Sequence, residues 1–290
     1  MRRSMLFIPG ANPKQIMFAA TMGADSIIFD LEDSVSPAEK DSARILVRNI
    51  LKTLDFSAIE IIVRVNSLNS PFWQEDLKEI VPLKPAIIMT PKSETPEDIK
   101  TFADYIGKLE EEHGIEKGSV KIMPLIETAL GIENAFMIGK ASERVVALFL
   151  GGEDYSADMQ CKRTKEGNEI DYARKRIVNA ARACGIDVYD TPFTDAHDDE
   201  GIWPDAAYAK SLGFTGKSAI SPRHVDAINI SFSPSQADID YAYEVIAAIE
   251  EGKAKGQGVV ALKGKMIDAP VVLRAQRTIA AAEQLGLGRK

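Results

Sequence analysis

The sequence predicts a (β/α)8 barrel, and three observations carry that expectation. Eight short, β-rich apolar runs alternate with helical patterns over about 250 of the 290 residues. Most runs are continuously apolar rather than alternating, as expected of parallel strands covered on both faces. Several end abruptly in charge, and in a barrel the reacting groups sit at the carboxyl ends of strands. An open, doubly wound sheet is the alternative. The first turn, Pro9-Gly10-Ala11-Asn12, lacks the GxGxxG pattern and so weighs against a dinucleotide fold.

Taken in order, the runs are 4–8, 26–30, 60–65, 86–89, 120–126, 145–150, 186–189 and 216–220. The second ends in Phe29-Asp30-Leu31-Glu32-Asp33, three acids within four residues. The third passes into Arg64-Val65-Asn66, and the fourth into Thr90-Pro91-Lys92. After it, Thr95-Pro96-Glu97-Asp98 opens a helix over 95–112, with a capping residue, proline at the first position and acids in the first turn. The fifth run ends in Glu127, and the sixth in Gly151-Gly152-Glu153-Asp154.

Residues 151–168 form a polar loop longer than the roughly 2–6 residues usual after a strand. Within it, Lys162, Arg163 and Lys165 could meet a phosphate-bearing substrate or stand in solvent. A helix is predicted over 168–184, where Asn168 can cap. Ile170, Ala173, Ile177, Ala180, Ala181 and Cys184 form its apolar stripe, and Gly185 ends it. Beyond residue 250 the character changes. Residues 251–258 read as a hinge, followed by a short apolar run, the turn Lys263-Gly264-Lys265 and a last helix from Ala269. The expected organisation is a catalytic barrel over 1–250 and an arm or lid over 251–290 that contacts a neighbouring subunit.

Composition narrows the function. With 45% hydrophobic and 27% charged residues the chain is ordinary for an enzyme with one large core. A formal charge of -8 with no basic stripe disfavours nucleic acid. No apolar run approaches the roughly 20 residues of a membrane span. No signal-peptide pattern is read at the start. Cys161 and Cys184 have no metal or CxxC spacing, so two free thiols in a cytoplasmic protein are expected.

Among candidate residues, Glu127 and Asp154 follow neighbouring strands, which lie about 5 Å apart, so they can share one cation. Two carboxylates with waters and substrate oxygens suit Mg2+. The bland alternative is a salt bridge or helix cap. His113, His197 and His224 are isolated and suggest no zinc site. The planar guanidinium of Arg64 suits a substrate carboxylate, and it can pair with Glu32 or Asp33 as well. Period-two alternation puts Asp30 and Glu32 on one face and Asp33 on the other. Glu32 is expected to hold the arginine or a metal-bound water, unless the cluster merely marks a helix start. By position Lys92 is a candidate for binding substrate anions. Local chemistry alone makes Asp268, in Ile267-Asp268-Ala269-Pro270, a helix N-cap.

An ordered set of motifs then resembles the citrate lyase beta subunit family of the HpcH/HpaI aldolase superfamily. These are RRSMLFIPGAN (2–12), FDLEDSV (29–35), VRVN (63–66), PLIETALGI (124–132), GGEDYSADM (151–159), GFTGKSAISPRHV (213–225) and GKMIDAPVV (264–272). One departure is Glu-Thr-Ala where many relatives have Glu-Ser-Pro, which leaves the glutamate in place. The resemblance covers the whole chain and implies a (β/α)8 barrel. It places the substrate-binding arginine on Arg64 and the Mg2+ ligands on Glu127 and Asp154, with Glu127 also near substrate. It also implies that Asp268 reaches into a neighbouring subunit's site, in preference to plain capping.

The implied reaction is cleavage of a citryl thioester, carried on CoA or an acyl carrier protein, to oxaloacetate and an acetyl thioester. Glu32 and Asp33 are the candidates to take the hydroxyl proton. Implied partners are the alpha and gamma (acyl carrier) subunits of citrate lyase and copies of this chain, as a trimer or hexamer. Citramalyl-CoA or malyl-CoA lyase, malate synthase-like or thioesterase activity would use the same residues. A purely carrier-docking subunit is the non-enzymatic alternative.

Overall fold

The computed structural model describes residues 1–254 and 260–288. By chain contacts these fall into two compact units, Arg2–Asn229 on the one hand and Ile230 onward together with Met1 on the other. The division lies about twenty residues ahead of the break that composition suggests.

In the larger unit eight parallel strands close into a barrel in sequence order. They are β1 (Ser4–Pro9), β2 (Ser26–Asp30), β3 (Glu60–Arg64), β4 (Ile87–Thr90), β5 (Lys121–Ile126), β6 (Ala147–Leu150), β7 (Asp187–Asp190) and β8 (Gly216–Ala219). Each predicted run holds one of them. The intervening helices are α1 (Pro13–Phe18), α2 (Lys40–Thr53), α3 (Trp73–Ile80), α4 (Pro96–Glu112), α5 (Ala129–Gly139), α6 (Gly152–Asp158), α7 (Asp171–Cys184) and α8 (Ile202–Leu212). α9 (Val225–Phe232) follows β8 and carries the chain across the division.

Why the helices begin and end where they do is local chemistry. Thr95 and Asp98 form a reciprocal capping box at α4, with Pro96 in the first turn. Gly185 closes α7 in the left-handed region at φ 77°. The expected cap at Asn168 is not made. Gly167, at φ 69°, starts a 3-10 turn over Asn168–Ile170, so the cap position passes to Ile170, which has no side-chain acceptor.

Alternation along the strands fills the barrel in layers. Met5, Ile28, Ile62, Ile87, Met89, Met123, Leu125, Ala147, Phe149 and Tyr189 form one buried cluster, with Phe7 packed against it. Each fully buried aliphatic or aromatic side chain contributes about 1.5–3 kcal/mol relative to exposure. Two residues on from Ile28, Ile62 and Leu125 come Asp30, Arg64 and Glu127, so the same face that packs the core ends in charge at the carboxyl rim. At the opposite end Glu60 and Asp187 meet Arg2, whose Nε lies 2.5 Å from Glu60 and whose Nη1 lies 3.3 Å from Asp187 and 3.4 Å from the Tyr189 hydroxyl.

The smaller unit packs α10 (Gln236–Ala254) on α11 (Ala269–Gln284), with an antiparallel pair, β9 (Val260–Leu262) and β10 (Lys265–Ile267). Ala242, Val245, Ile267 and Ala275 form its core. Of the hinge expected over 251–258, residues 251–254 are the last turn of α10, with Gly252 buried. Glutamate, lysine and alanine are good helix formers and carry the helix through one glycine. Residues 255–258 of that hinge lie outside the described residues.

Candidate functional site

A cavity of about 430 Å³ opens at the carboxyl ends of the strands. Phe7, Leu125, Phe149 and Pro192 give it an apolar lining, and Asp30, Asp33, Arg64, Glu127, Glu153 and Asp154 bring charge to it. Five carboxylates against one guanidinium make this cavity attractive to a cation.

Asp30 and Arg64 sit opposite each other in the β2–β3 register. That adjacency lets Arg64 donate from Nε and Nη2 to the two Asp30 oxygens, both at 2.7 Å. Asp30 also accepts the backbone N–H groups of Glu32 at 2.9 Å and Ser34 at 3.0 Å, which folds the loop back over the strand end. Burial alone would raise the Asp30 pKa, but Arg64 outweighs it and holds the carboxyl below its usual range. The third Arg64 nitrogen, Nη1, faces Glu32 at 3.1 Å and Asp33 at 3.4 Å. The guanidinium carbon lies 5.2 Å from the centre of the Phe7 ring.

The alternation expected for the acid cluster therefore fails. β2 stops at Asp30, and the bend after it turns Glu32 and Asp33 toward the same arginine. Glu32 is 5% exposed, and its pKa is pushed up to about 7, by burial first, with Asp33 adding to the rise and Arg64 and Lys92 opposing it.

Lys92 does two things. Its backbone adopts φ 49°, in the left-handed region, and its N–H donates to Glu127 Oε1 at 2.7 Å. Its ammonium donates to Glu32 Oε1 at 3.1 Å. The side chain expected to meet an anion thus meets one of the protein's own. Strain of this kind, about 1–3 kcal/mol, persists where surrounding structure enforces it.

Glu127 is 2% exposed. Its pKa stands well above the ordinary value, chiefly through burial and then through Glu32 and Asp154, with Arg64 and the Lys92 N–H opposing. Beside it, a β-carbon on Gly151 would lie 2.5 Å from Glu127 Cβ and 2.6 Å from Oε2, so only glycine fits. Asp154 projects from the first turns of α6 and lines the same cavity. Among the described residues no set of three or more His, Cys, Asp or Glu could hold a metal alone. Two carboxylates that repel each other and leave positions for water and substrate oxygens nevertheless fit a hard divalent cation of the Mg2+ kind.

The remaining candidates fall elsewhere. Arg163 is taken by Glu169 at 2.6 Å, and Lys165 bridges Asp195 at 2.7 Å and Asp198 at 3.0 Å, so both are spent on stapling loops. Lys162 is exposed. His224 is buried against Phe193. Asp268, in the smaller unit, is exposed and caps α11, accepting the Val271 N–H at 3.2 Å. Cys161 and Cys184 are free. No helix of the described residues is long and apolar enough to cross a membrane.

Sequence reasoning passed over three residues here. Asp30 was hidden by its neighbours, though its register with Arg64 follows from aligning the two strand ends. Gly151 could have been suspected from the Gly-Gly pair. Thr191, which lines the cavity and accepts the Gly152 N–H at 3.0 Å, carries no sequence signal.

Comparison with known proteins agrees with this geometry. A family model described as HpcH/HpaI aldolase/citrate lyase matches residues 3–222. The citrate lyase subunit beta of Leuconostoc mesenteroides subsp. cremoris is 46% identical over 96% of this chain and 92% of its own. The human mitochondrial citramalyl-CoA lyase is 34% identical over 98% of this chain and 86% of its own. Among solved structures, protein CitE from Mycobacterium tuberculosis, in complex with magnesium, acetoacetate and coenzyme A, superposes with a TM-score of 0.79. That match has 27% identity and covers 97% of this chain and 98% of the other.

Proposed function

We propose that this chain, which belongs to the HpcH/HpaI aldolase/citrate lyase family, is a magnesium-dependent oxo-acid lyase. It cleaves a citryl thioester to oxaloacetate and an acetyl thioester, the beta-subunit step of citrate lyase. The observation that carries this reading is the pairing of Glu127 and Asp154, short of positive charge, with Arg64 in one cavity.

A citryl thioester keeps two carboxylates. Arg64 is the one cationic side chain lining the cavity among the described residues, and it suits one of them. The substrate takes the Nη1 position now shared with Asp33, a contact of 3.4 Å to a half-exposed side chain. Glu127 and Asp154 would hold magnesium, which would supply Lewis acidity for ionising the tertiary hydroxyl. Asp30 grips two guanidinium nitrogens and fixes the plane of the fork, which orients the carbon–carbon bond to be broken.

Glu32 takes the hydroxyl proton. Burial places its pKa near 7, the range in which a carboxylate serves as general base. As the proton leaves, the C–O bond becomes the ketone of oxaloacetate, the carbon–carbon bond breaks and its electron pair passes to the thioester enolate. Protonation of the enolate carbon gives the acetyl thioester. Asp268 of a neighbouring copy supplies that proton. Lys92 holds Glu32 in place between turnovers and offers its charge to the substrate's acyl carrier. The partners in this reading are the alpha and gamma subunits of a cytoplasmic complex, the gamma subunit presenting the acyl group.

Citramalyl-CoA is the second reading, favoured by the human relative and by the apolar walls of Phe7, Phe149 and Pro192, which suit a methyl group. Purified chain is assayed with citryl-CoA and citramalyl-CoA, before and after chelation and with Mg2+ restored. Oxaloacetate from citryl-CoA, lost on chelation and regained with Mg2+, is the expected result. Pyruvate from citramalyl-CoA alone selects the second reading. Activity indifferent to chelation removes the metal role, and inactivity on both substrates overturns the lyase assignment for the isolated chain.

A further inference from the structure

A second group of buried charges lies outside the chemistry just described. Arg174, Asp190 and Lys217 are fully buried, and Asp205 is nearly so. Arg174 donates to Asp190 at 2.8 and 3.0 Å and to Asp205 at 2.7 Å. Lys217 lies 2.6 Å from Asp190 and 2.7 Å from Asp205. Two cations and two anions balance, which is the condition for keeping such a group buried. Lys217 also reaches toward the cavity, where its ammonium donates to the Thr191 carbonyl at 2.6 Å.

Thr191 lines the cavity, and its hydroxyl oxygen accepts the Gly152 N–H at 3.0 Å. Gly152 is the first residue of α6, the helix that carries Asp154. A helix start leaves N–H groups without partners, and the residue before it normally supplies an acceptor. Here that residue is Gly151, which makes no side-chain cap bond. It cannot be Ser, Thr or Asp, because Glu127 occupies the space a β-carbon would need. The close approach of Glu127 thus deprives α6 of a cap of its own, and a threonine just past the end of the next strand provides one. The contact is tight: a β-carbon on Gly152 would lie 2.9 Å from the Thr191 oxygen.

We propose that Thr191 is a positioning residue for the metal site: as a cap lent across strands, and itself fixed by Lys217, it holds the first turn of α6 so that Asp154 faces Glu127. The inference rests on the assignment of Asp154 as a metal ligand.

The test measures Mg2+ and Mn2+ binding to the full-length protein by calorimetry and Mn2+ electron paramagnetic resonance, without substrate. Thr191→Val is expected to weaken divalent binding by about 10–100-fold, the usual effect of losing a group that orients a ligand. Turnover by this variant should recover as Mg2+ is raised, and Thr191→Ser should bind nearly as the parent does. Should the valine variant not fold, Thr191→Ala removes the hydroxyl without adding bulk and is expected to show the same loss. Parental affinity in Thr191→Val or Thr191→Ala, or a Thr191→Ser as weak as either, overturns the inference. Asp154→Asn separates the two ideas. If it binds the cation as the parent does, the ligand assignment itself fails. If it loses binding while Thr191→Val keeps it, the positioning role alone fails.

Discussion

At the residue scale the site turns on how Arg64 is held. Three of its nitrogens face carboxylates, and the two strongest contacts go to Asp30, not to the glutamate that the charge pattern favours. Removing the charge leaves Asp30 buried and unpaired. Arg64→Met should therefore lower stability to urea by about 3–5 kcal/mol. Arg64→Lys keeps a charge but not the planar fork. It should retain most of the stability while kcat/KM falls about 100-fold, the loss of one paired carboxylate contact. Native turnover by Arg64→Lys would show that the fork does not orient the substrate. Arg64 and Glu127 could be placed at the cavity from sequence because each closes an apolar run, and Asp154 because it follows the Gly151-Gly152 pair after one. Asp30 was not, because its importance comes from register with β3, a relation between two strands that neither run contains.

At the scale of elements, the eight strands were readable because burial on both faces leaves continuous apolar runs, and β2 is buried at all five positions. Helix ends followed where one residue type dictates them, through the side chain of Thr95 and the left-handed backbone of Gly185. They failed where a glycine-led 3-10 turn intervenes, as at Asn168. The loop between α6 and α7 shows what its length is for. Glu169 accepts from Thr164 N–H at 2.9 Å, Thr164 hydroxyl at 2.8 Å and Arg163 at 2.6 Å, tying the loop to its own exit.

Burial opposes this, but those donors prevail and hold the Glu169 pKa down to about 2. A depressed carboxylate stabilises the fold above its ordinary pKa, near 4.5, and that contribution is lost as pH falls toward 2. Wild type and Glu169→Gln should therefore differ in urea midpoint at pH 6 and converge as pH approaches 2. A difference that persists at the acid end would assign the effect to shape rather than to charge.

At the scale of the molecule, the smaller unit is where sequence reading was least complete. The apolar run, the turn after it and the last helix were foreseen but α10 was not assigned to this unit, because from composition it looks like one more barrel helix, whereas its apolar face packs on α11. Asp268 caps α11 in its own chain, and one carboxylate oxygen suffices for that bond. If it also serves a neighbour's site, the active unit is an oligomer with shared sites. Arg64→Lys and Asp268→Asn homo-oligomers should each be nearly inactive. Mixed and allowed to exchange subunits, they should regain activity, since some sites then draw both parental residues from different chains. Light scattering on the same samples gives the mass, with a trimer or hexamer expected. No regain despite demonstrated exchange would return Asp268 to capping alone.

The packed barrel interior has a consequence for traffic. From Met5 to Tyr189 the axis is filled with side chains, and the far end is stoppered by Arg2, Glu60 and Asp187. Among the described residues the barrel therefore offers no through-channel, and whatever reacts in the cavity arrives and departs on the carboxyl side of the strands.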